Sequence, residues 1–427
     1  MRENRNRQQA NWDDDKLILL GEGLAPLPKK LLDDHADGRV MFLVGAGVSQ
    51  NSKLKDFKGL VLQVYEKFDR KIYDILNNKD LHVKEKKEQI FSKLGDTKQA
   101  ARQKAEINRF IKEDYDVVLG MIKEREKNTT NELGSRSDYL ETTILPLLSN
   151  KEPHDIHKSL IKLARRGTNK KTNSYPTAIT TTNFDLLLEE AAEELGTKLE
   201  SYSLGEIPTP EHPDHDDFSG IFHIHGKLNP EKPHRINKLI LTDRDFGEWY
   251  LRKKIIPDFI YDVARNYSWV LVGYSANDPP MRYLLNAIAN DKHRHKEIEP
   301  RYVFLASDKA SAAERADWES RDITPIVYEV NNELDREHGV LIDTLKRWSD
   351  LSPANSDNII DQEIKRIMKS PVNNATQSDK DVIEYLVSNQ KMERLSTLND
   401  IEIDISWLKL ISKKQELVIV KDNENAQ

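Results

Sequence analysis

Four short stretches hold the residue types that chemistry needs. The first, residues 40–60, reads VMFLVGAGVSQNSKLKDFKGL, an apolar run ending in Gly45-Ala46-Gly47 and then Val48-Ser49. Glycines directly after a buried strand let backbone amides approach a diphosphate, and a following helix N-terminus adds partial positive charge. Ser49 can cap that helix or offer its hydroxyl to a phosphate. A plain tight turn would use the same letters. The second stretch, residues 181–185, is Thr-Thr-Asn-Phe-Asp. The Asn183 amide donates and accepts hydrogen bonds at once. Asn183 and Asp185 equally suit helix capping, because LLLEEA follows.

The third stretch, residues 221–228, is IFHIHGKL and alternates like a strand, with His223 and His225 on one side. Imidazole titrates near neutral pH, so His225 is a candidate proton acceptor. It also reads as a satisfied strand histidine. With His223 and the upstream HPDHDD it reads as a metal pair. No ligand set closes, so no metal is expected, and His223 is taken as structural. His154 and His157, three apart on a helix, lack carboxylate partners and are read the same way. The fourth stretch, VGYS at 272–275, repeats the first: an apolar strand, Gly273, a small polar turn, then a helix.

Composition narrows the classes. The dinucleotide pattern G-x-G-x-x-G/A fails at Gln50, and the region where a second strand should end in an acid reads helical, so a standard dehydrogenase is excluded. No G-x-x-x-x-G-K-[ST] run exists, which excludes a P-loop ATPase. The 427 residues carry a net charge of −7, so direct nucleic-acid binding is not indicated. The absence of cysteine excludes disulfides, a cysteine zinc ribbon and a cysteine nucleophile. The sequence offers no apolar run of about 18 residues and no signal-peptide pattern, so a cytoplasmic protein without membrane contact is expected.

The elements that must carry these residues alternate strand and helix. That pattern predicts an α/β fold: a Rossmann-like parallel sheet with helices on both faces. Residues 1–36 are expected to form an N-terminal arm and the start of a first helix. Residues 37–350 form the nucleotide-binding domain, with a helical insertion at about 60–150. Residues 351–427 form a small, mainly helical C-terminal appendage.

Taken together, the motifs resemble sirtuins. GAGVSQNSKLKDFK resembles the sirtuin opening, with Asp56 and Phe57 matching and Lys55 and Lys58 replacing Pro and Arg. TTNFD resembles Thr-Gln-Asn-Ile-Asp, with Thr182 for Gln and Phe184 for Ile, and IHG resembles the Leu-His-Gly bearing the catalytic histidine. VGYS is a weaker match to Gly-Thr-Ser. The chain is closer to the bacterial sirtuin-like NAD hydrolases of anti-phage defence than to deacetylases, because the four-cysteine ribbon and a peptide-holding domain are missing.

The resemblance implies NAD+ as substrate, cleaved to nicotinamide and ADP-ribose. Asn183 would hold the ribose and a water, and His225 would accept a proton. Asp185 would bind the carboxamide, with Thr182 beside it. Gly45, Ala46, Gly47 and Ser49 would hold the diphosphate, and Gly273 and Ser275 the adenosine half. Asp56, Phe57 and Lys58 would lie on a covering loop. Partners implied by analogy are a second copy of the chain, a hexameric DNA-translocating ATPase or a phage-derived activator. A non-catalytic NAD or ADP-ribose sensor, and a protein ADP-ribosyltransferase or deacylase, are the alternatives.

Overall fold

The computed structural model describes residues 16–130, 139–148, 151–165, 177–210, 218–228, 239–276, 279–292, 298–330, 338–352, 357–388 and 403–411. Two short strands, β1 (Leu17–Ile18) and β2 (Leu27–Pro28), pair antiparallel ahead of helix α1 (Lys29–Ala36). Seven further strands build one sheet: β3 (Val40–Val44), β4 (Ala178–Thr181), β5 (Ser201–Tyr202), β6 (Gly220–His223), β7 (Ser268–Val272), β8 (Arg301–Ala306) and β9 (Thr324–Tyr328). Their spatial order is β5-β6-β4-β3-β7-β8-β9, and every pairing is parallel.

All five residues of β3 and of β7 are buried, as a parallel sheet covered on both faces requires. Alternate residues feed two cores. Phe42, Val44, Ile179, Ile221, Val270 and Val272 enter one, while Met41, Leu43, Phe222, Trp269, Leu271 and Val303 enter the other. Asp34, fully buried on α1, accepts hydrogen bonds from Ser268 Oγ (2.7 Å) and Arg39 Nη2 (2.8 Å). That contact fixes the start of β7 beside the start of β3.

Helix α2 (Ala46–Ser49) follows β3 and is a single turn, so its dipole is smaller than the sequence suggested. The insertion comprises α3 (Phe57–Phe68), α4 (Arg70–Leu76), α5 (Val83–Leu94), α6 (Lys98–Ile111), α7 (Tyr115–Thr130) and α8 (Tyr139–Leu148). It has its own apolar core, centred on Val61, Val64, Tyr65, Ile107, Val118 and Ile122. Leu228, Leu239 and Leu241, which flank the segment after β6, enter that core too. Gly120 of α7 has no side chain because Asp243 fills the space: a Cβ there would lie 2.6 Å from its Oδ1.

The main body continues with α9 (Asp155–Leu163), α10 (Leu187–Glu194), α11 (Asp243–Phe246), a π-helical turn at Gly247–Arg252, and α12 (Ile255–Asn266). Then come α13 (Pro279–Lys292), α14 (Ala312–Ser320) and α15 (Gly339–Asp350). Two last helices, α16 (Asp357–Met368) and α17 (Gln377–Ser388), precede helical residues 405–411.

Several local readings change. Helix α3 begins at Phe57, because the Asp56 carboxylate accepts the Gly59 amide proton at 2.7 Å and caps it there. Residues 239–241 join no sheet, and Thr242 caps α11. Strand β5 had no sequence signal. Ile18, Leu20 and Leu27, from the expected N-terminal arm, share the sheet's core, as do Ile364, Ile383 and Trp407 from the expected appendage. Residues 1–15, residues 166–176 and the acidic HPDHDD segment lie outside the described residues.

Two strand-end turns meet backbone to backbone. A Cβ on Gly45 would lie 2.5 Å from Gly273 O, one on Gly47 2.9 Å from Gly273 Cα, and one on Gly273 2.5 Å from Val48 N. Gly273 also has φ +60°, which an L side chain disfavours. Gly273→Ala is therefore expected to cost about 3 kcal/mol, combining left-handed strain and overpacking. Gly23→Ala, with φ +74° but nothing within 4 Å, should cost about 1 kcal/mol. Urea denaturation of both variants checks this, and equal losses would show that the turns do not press together.

Candidate functional site

Strands β3, β4, β6 and β7 end on one row. Val44 is paired with Thr181 and with Val272, and Thr181 with His223. From β3 the chain builds β4 on one side and β7 on the other, which makes this row the switch point of the sheet. In open α/β sheets, ligands bind outside the carboxyl ends of the strands at such a point. The next residues along the chain are Gly45, Thr182, Ile224 and Gly273, so the four singled-out stretches converge there.

The main chain locks this row. Gly45 N–H donates to Val272 O (3.0 Å), Gly47 N–H to Gly273 O (2.9 Å), and Thr182 N–H to Val44 O (3.1 Å). These donors are spent within the protein. Gly45 and Gly47 therefore act first as spacers that let β3 and β7 close. Ala46 and Ser275 are exposed beside them.

Side chains form a second layer. Asn183 Nδ2 donates to Ser49 Oγ (2.9 Å) and to Gly45 O (3.2 Å), and Ser49 Oγ donates to Asp185 Oδ2 (2.9 Å). Asp185 Oδ1 also accepts from Leu187 N–H (3.2 Å) at the start of α10. Asp185 thus does part of the capping expected of it, whereas Asn183 bonds across to the glycine turn instead. Burial raises the Asp185 carboxyl above its ordinary range against the bond from Ser49.

The two histidines differ completely. His225 lies two residues past the end of β6, in a turn, and its Nε2 is 2.7 Å from the Tyr250 hydroxyl. Phe246 meets the ring edge-on, with centroids 5.6 Å apart. Burial pushes the imidazole down to about 3, so it stays neutral in the physiological range and can accept a proton only from an activated donor. His223 is fully buried, with Nδ1 2.9 Å from Asn183 O and Nε2 2.8 Å from Glu189 Oε1. Burial opposes its charge, but Glu189 outweighs burial and raises it.

Asp56 and Phe57 make contacts in the insertion, on whose core Phe184 also packs. Asp56 caps α3, and the Phe57 ring packs edge-on against Tyr115 at 6.4 Å in the insertion. Lys58 is 4.0 Å from Glu113. His154 N–H donates to His157 Nδ1 (3.0 Å), a helix-start contact. Among the described residues no three histidine or carboxylate groups are placed to hold a metal ion. Glu189 and Tyr250 were not singled out from the sequence. Glu189 sits four residues past Asp185, one helical turn on, but Tyr250 meets His225 only through the tertiary fold.

Three buried neutral histidines favour loss of stability in acid, against Glu106, whose buried carboxyl is raised to about 7 and favours the folded state as pH falls. His35 and His157 are held at about 4 and His225 at about 3, each chiefly by burial. Their folded values lie below the unfolded value, so their contribution is complete above about pH 6.5 and is lost as pH falls toward 4. Each is expected to cost about 1 kcal/mol of stability between pH 7 and pH 5.5. His223, raised, runs the opposite way: it favours the folded state more as pH falls through the unfolded value and offsets part of that loss. Urea denaturation at the two pH values tests this, and His225→Gln should show about 1 kcal/mol less loss.

Residues 177–326 match the SIR2-like domain family. The chain is 28% identical over 358 residues to "Uncharacterized protein y4cA" from Sinorhizobium fredii (strain NBRC 101917 / NGR234). The match covers 82% of this chain but 26% of that relative, so the chain spans about a quarter of its length. A solved Sir2 homolog–NAD complex is similar at 15% identity, with a TM-score of 0.34, covering 77% of this chain and 96% of that one.

Proposed function

The chain carries a SIR2-like domain, and from that premise we propose that it is an NAD+ glycohydrolase. It cleaves NAD+ to nicotinamide and ADP-ribose at the row of strand ends. The observation that carries this reading is the convergence of Asn183, Ser49, Asp185 and a neutral, buried His225 at the switch point.

Cleaving the N-glycosidic bond builds positive charge on the ribose carbon and releases nicotinamide as a neutral ring. The leaving group needs little acid help, so the protein must orient the ribose, exclude bulk water and place one water. Asn183 does this with an amide held rigidly from Ser49 and Gly45. His225 accepts a proton from a ribose hydroxyl or the water, with Tyr250 fixing the ring through Nε2. Asp185, buried and one hydroxyl away from Asn183, addresses the carboxamide. The diphosphate lies at Ala46, and Ser275 borders the adenosine half. The insertion, whose core takes in Phe184, Leu228 and Leu241, closes the side nearest His225.

Unrestrained hydrolysis would drain the NAD+ of the cell that makes the enzyme. We place the protein in anti-phage defence by NAD+ depletion, held silent until assembly, a DNA-translocating ATPase or a phage-derived activator releases it.

Purified protein is expected to release nicotinamide from NAD+ faster with lysate of phage-infected cells than alone. His225→Ala and Asn183→Ala should each lower that rate about 100- to 10,000-fold, with NAD+ affinity changed far less. NAD+ bound without nicotinamide release in either condition would replace the hydrolase by a non-catalytic sensor.

A further inference from the structure

Both nitrogens of His223 face acceptors. Nδ1 lies 2.9 Å from a main-chain carbonyl oxygen, Asn183 O, and Nε2 lies 2.8 Å from a carboxylate oxygen, Glu189 Oε1. A carbonyl cannot donate, and an ionised carboxylate cannot donate. A neutral imidazole carries one N–H and would leave one contact facing a lone pair. Turning the ring over would set carbons against both acceptors. With Glu189 ionised, only the doubly protonated ring satisfies the two bonds.

The surroundings keep Glu189 ionised. Its burial works against that, but the His223 charge and bonds from His223 and the Ser201 hydroxyl hold it below its ordinary range. The other charged groups near His223 are few. Asp185 approaches from the loop ahead of α10. Lys227 lies beyond β6, its ammonium donating to Ser201 O at 2.8 Å. His225 is two residues on and is kept neutral by burial.

We propose that His223, as a buried imidazolium paired with Glu189, is a positioning residue that clamps the Asn183 main chain and so aims its amide into the site. The clamp spans three elements: Glu189 belongs to α10, His223 ends β6, and Asn183 follows β4. The same residue therefore carries two bonds at its two ends. Its side-chain amide is tied to the glycine turn, and its carbonyl is tied to His223. Losing the proton from His223 removes one donor, and the Asn183 carbonyl loses its partner beside a fully buried ring. Because the folded imidazole is raised above its ordinary value, the clamp is complete below about pH 6.5 and is lost as pH rises through the folded value. The catalytic consequence rests on the hydrolase reading above; the clamp itself does not.

Two readouts of the wild-type chain test the clamp without any turnover. Protein labelled with 15N-histidine and 13C-carbonyl asparagine is titrated from pH 6 to 10. Both ring nitrogens of His223 are expected at protonated shifts at pH 7, and the Asn183 carbonyl should titrate with the same midpoint. A neutral His223 ring at pH 7, or an Asn183 carbonyl that ignores its titration, overturns the proposal. Glu189→Gln keeps the size and an acceptor oxygen but removes the charge. Its alkaline limb of nicotinamide release should move to lower pH by about one pH unit or more, with kcat falling and KM near wild type. An unmoved limb in a folded variant also overturns the proposal. Absence of release from wild type at every pH defeats the hydrolase reading alone, because the two spectroscopic readouts still decide the clamp.

Discussion

The close approach of two backbone turns governs this molecule. Gly45 and Gly47 after β3 and Gly273 after β7 come so near that no side chain fits between them. Their amides and carbonyls bond to one another rather than to a ligand. This contact brings β3 and β7 together at the point where the sheet reverses its order of growth. Everything chemical sits on the rim it creates. Ser49 stands one turn beyond Gly45, and from there its hydroxyl joins Asn183 to Asp185. A bulkier residue in either turn would separate the strands and pull Ser49 from both partners.

Environment then gives identical residue types opposite roles. His223 and His225 are two positions apart and both buried, yet one faces a carboxylate and a carbonyl while the other faces a phenol and an aromatic edge. The first is held charged and the second neutral. A neutral imidazole can take a proton, whereas a paired imidazolium can only hold geometry. The chain thus separates the chemical task from the structural one within a single Ile-His-Gly turn and its neighbour.

Much of this was legible in the sequence because it is local. The five-residue apolar run before Gly45 fixes a buried parallel strand, and Gly273 after SWVLV announces its partner. Asn183, Asp185 and His225 stand at strand ends as their motifs imply. What stayed hidden depends on contacts distant in sequence. Glu189 looks like any solvated helix acid until β6 lays His223 against it, and Tyr250 reaches His225 through a π-helical turn with no sequence signature. The same reason hides the merging of the chain ends: nothing local in Ile18 or Trp407 says that they share one core. Asp56 and Phe57 carry a local task that their motif does not announce, since their side chains start and anchor α3.

The insertion and the sheet are coupled through the segment that carries His225. Ile240 N–H donates to His225 O, Leu228 N–H donates to Phe184 O, and Leu228 and Leu241 sink into the insertion's core. Movement of the insertion would reach both candidate catalytic residues directly. The most direct test of the account is a crystal structure of the His225→Ala protein grown with NAD+. The nicotinamide ribose should lie against Asn183, with the diphosphate over the turn at Ala46. NAD+ bound away from the β3, β4, β6 and β7 strand ends would contradict the account.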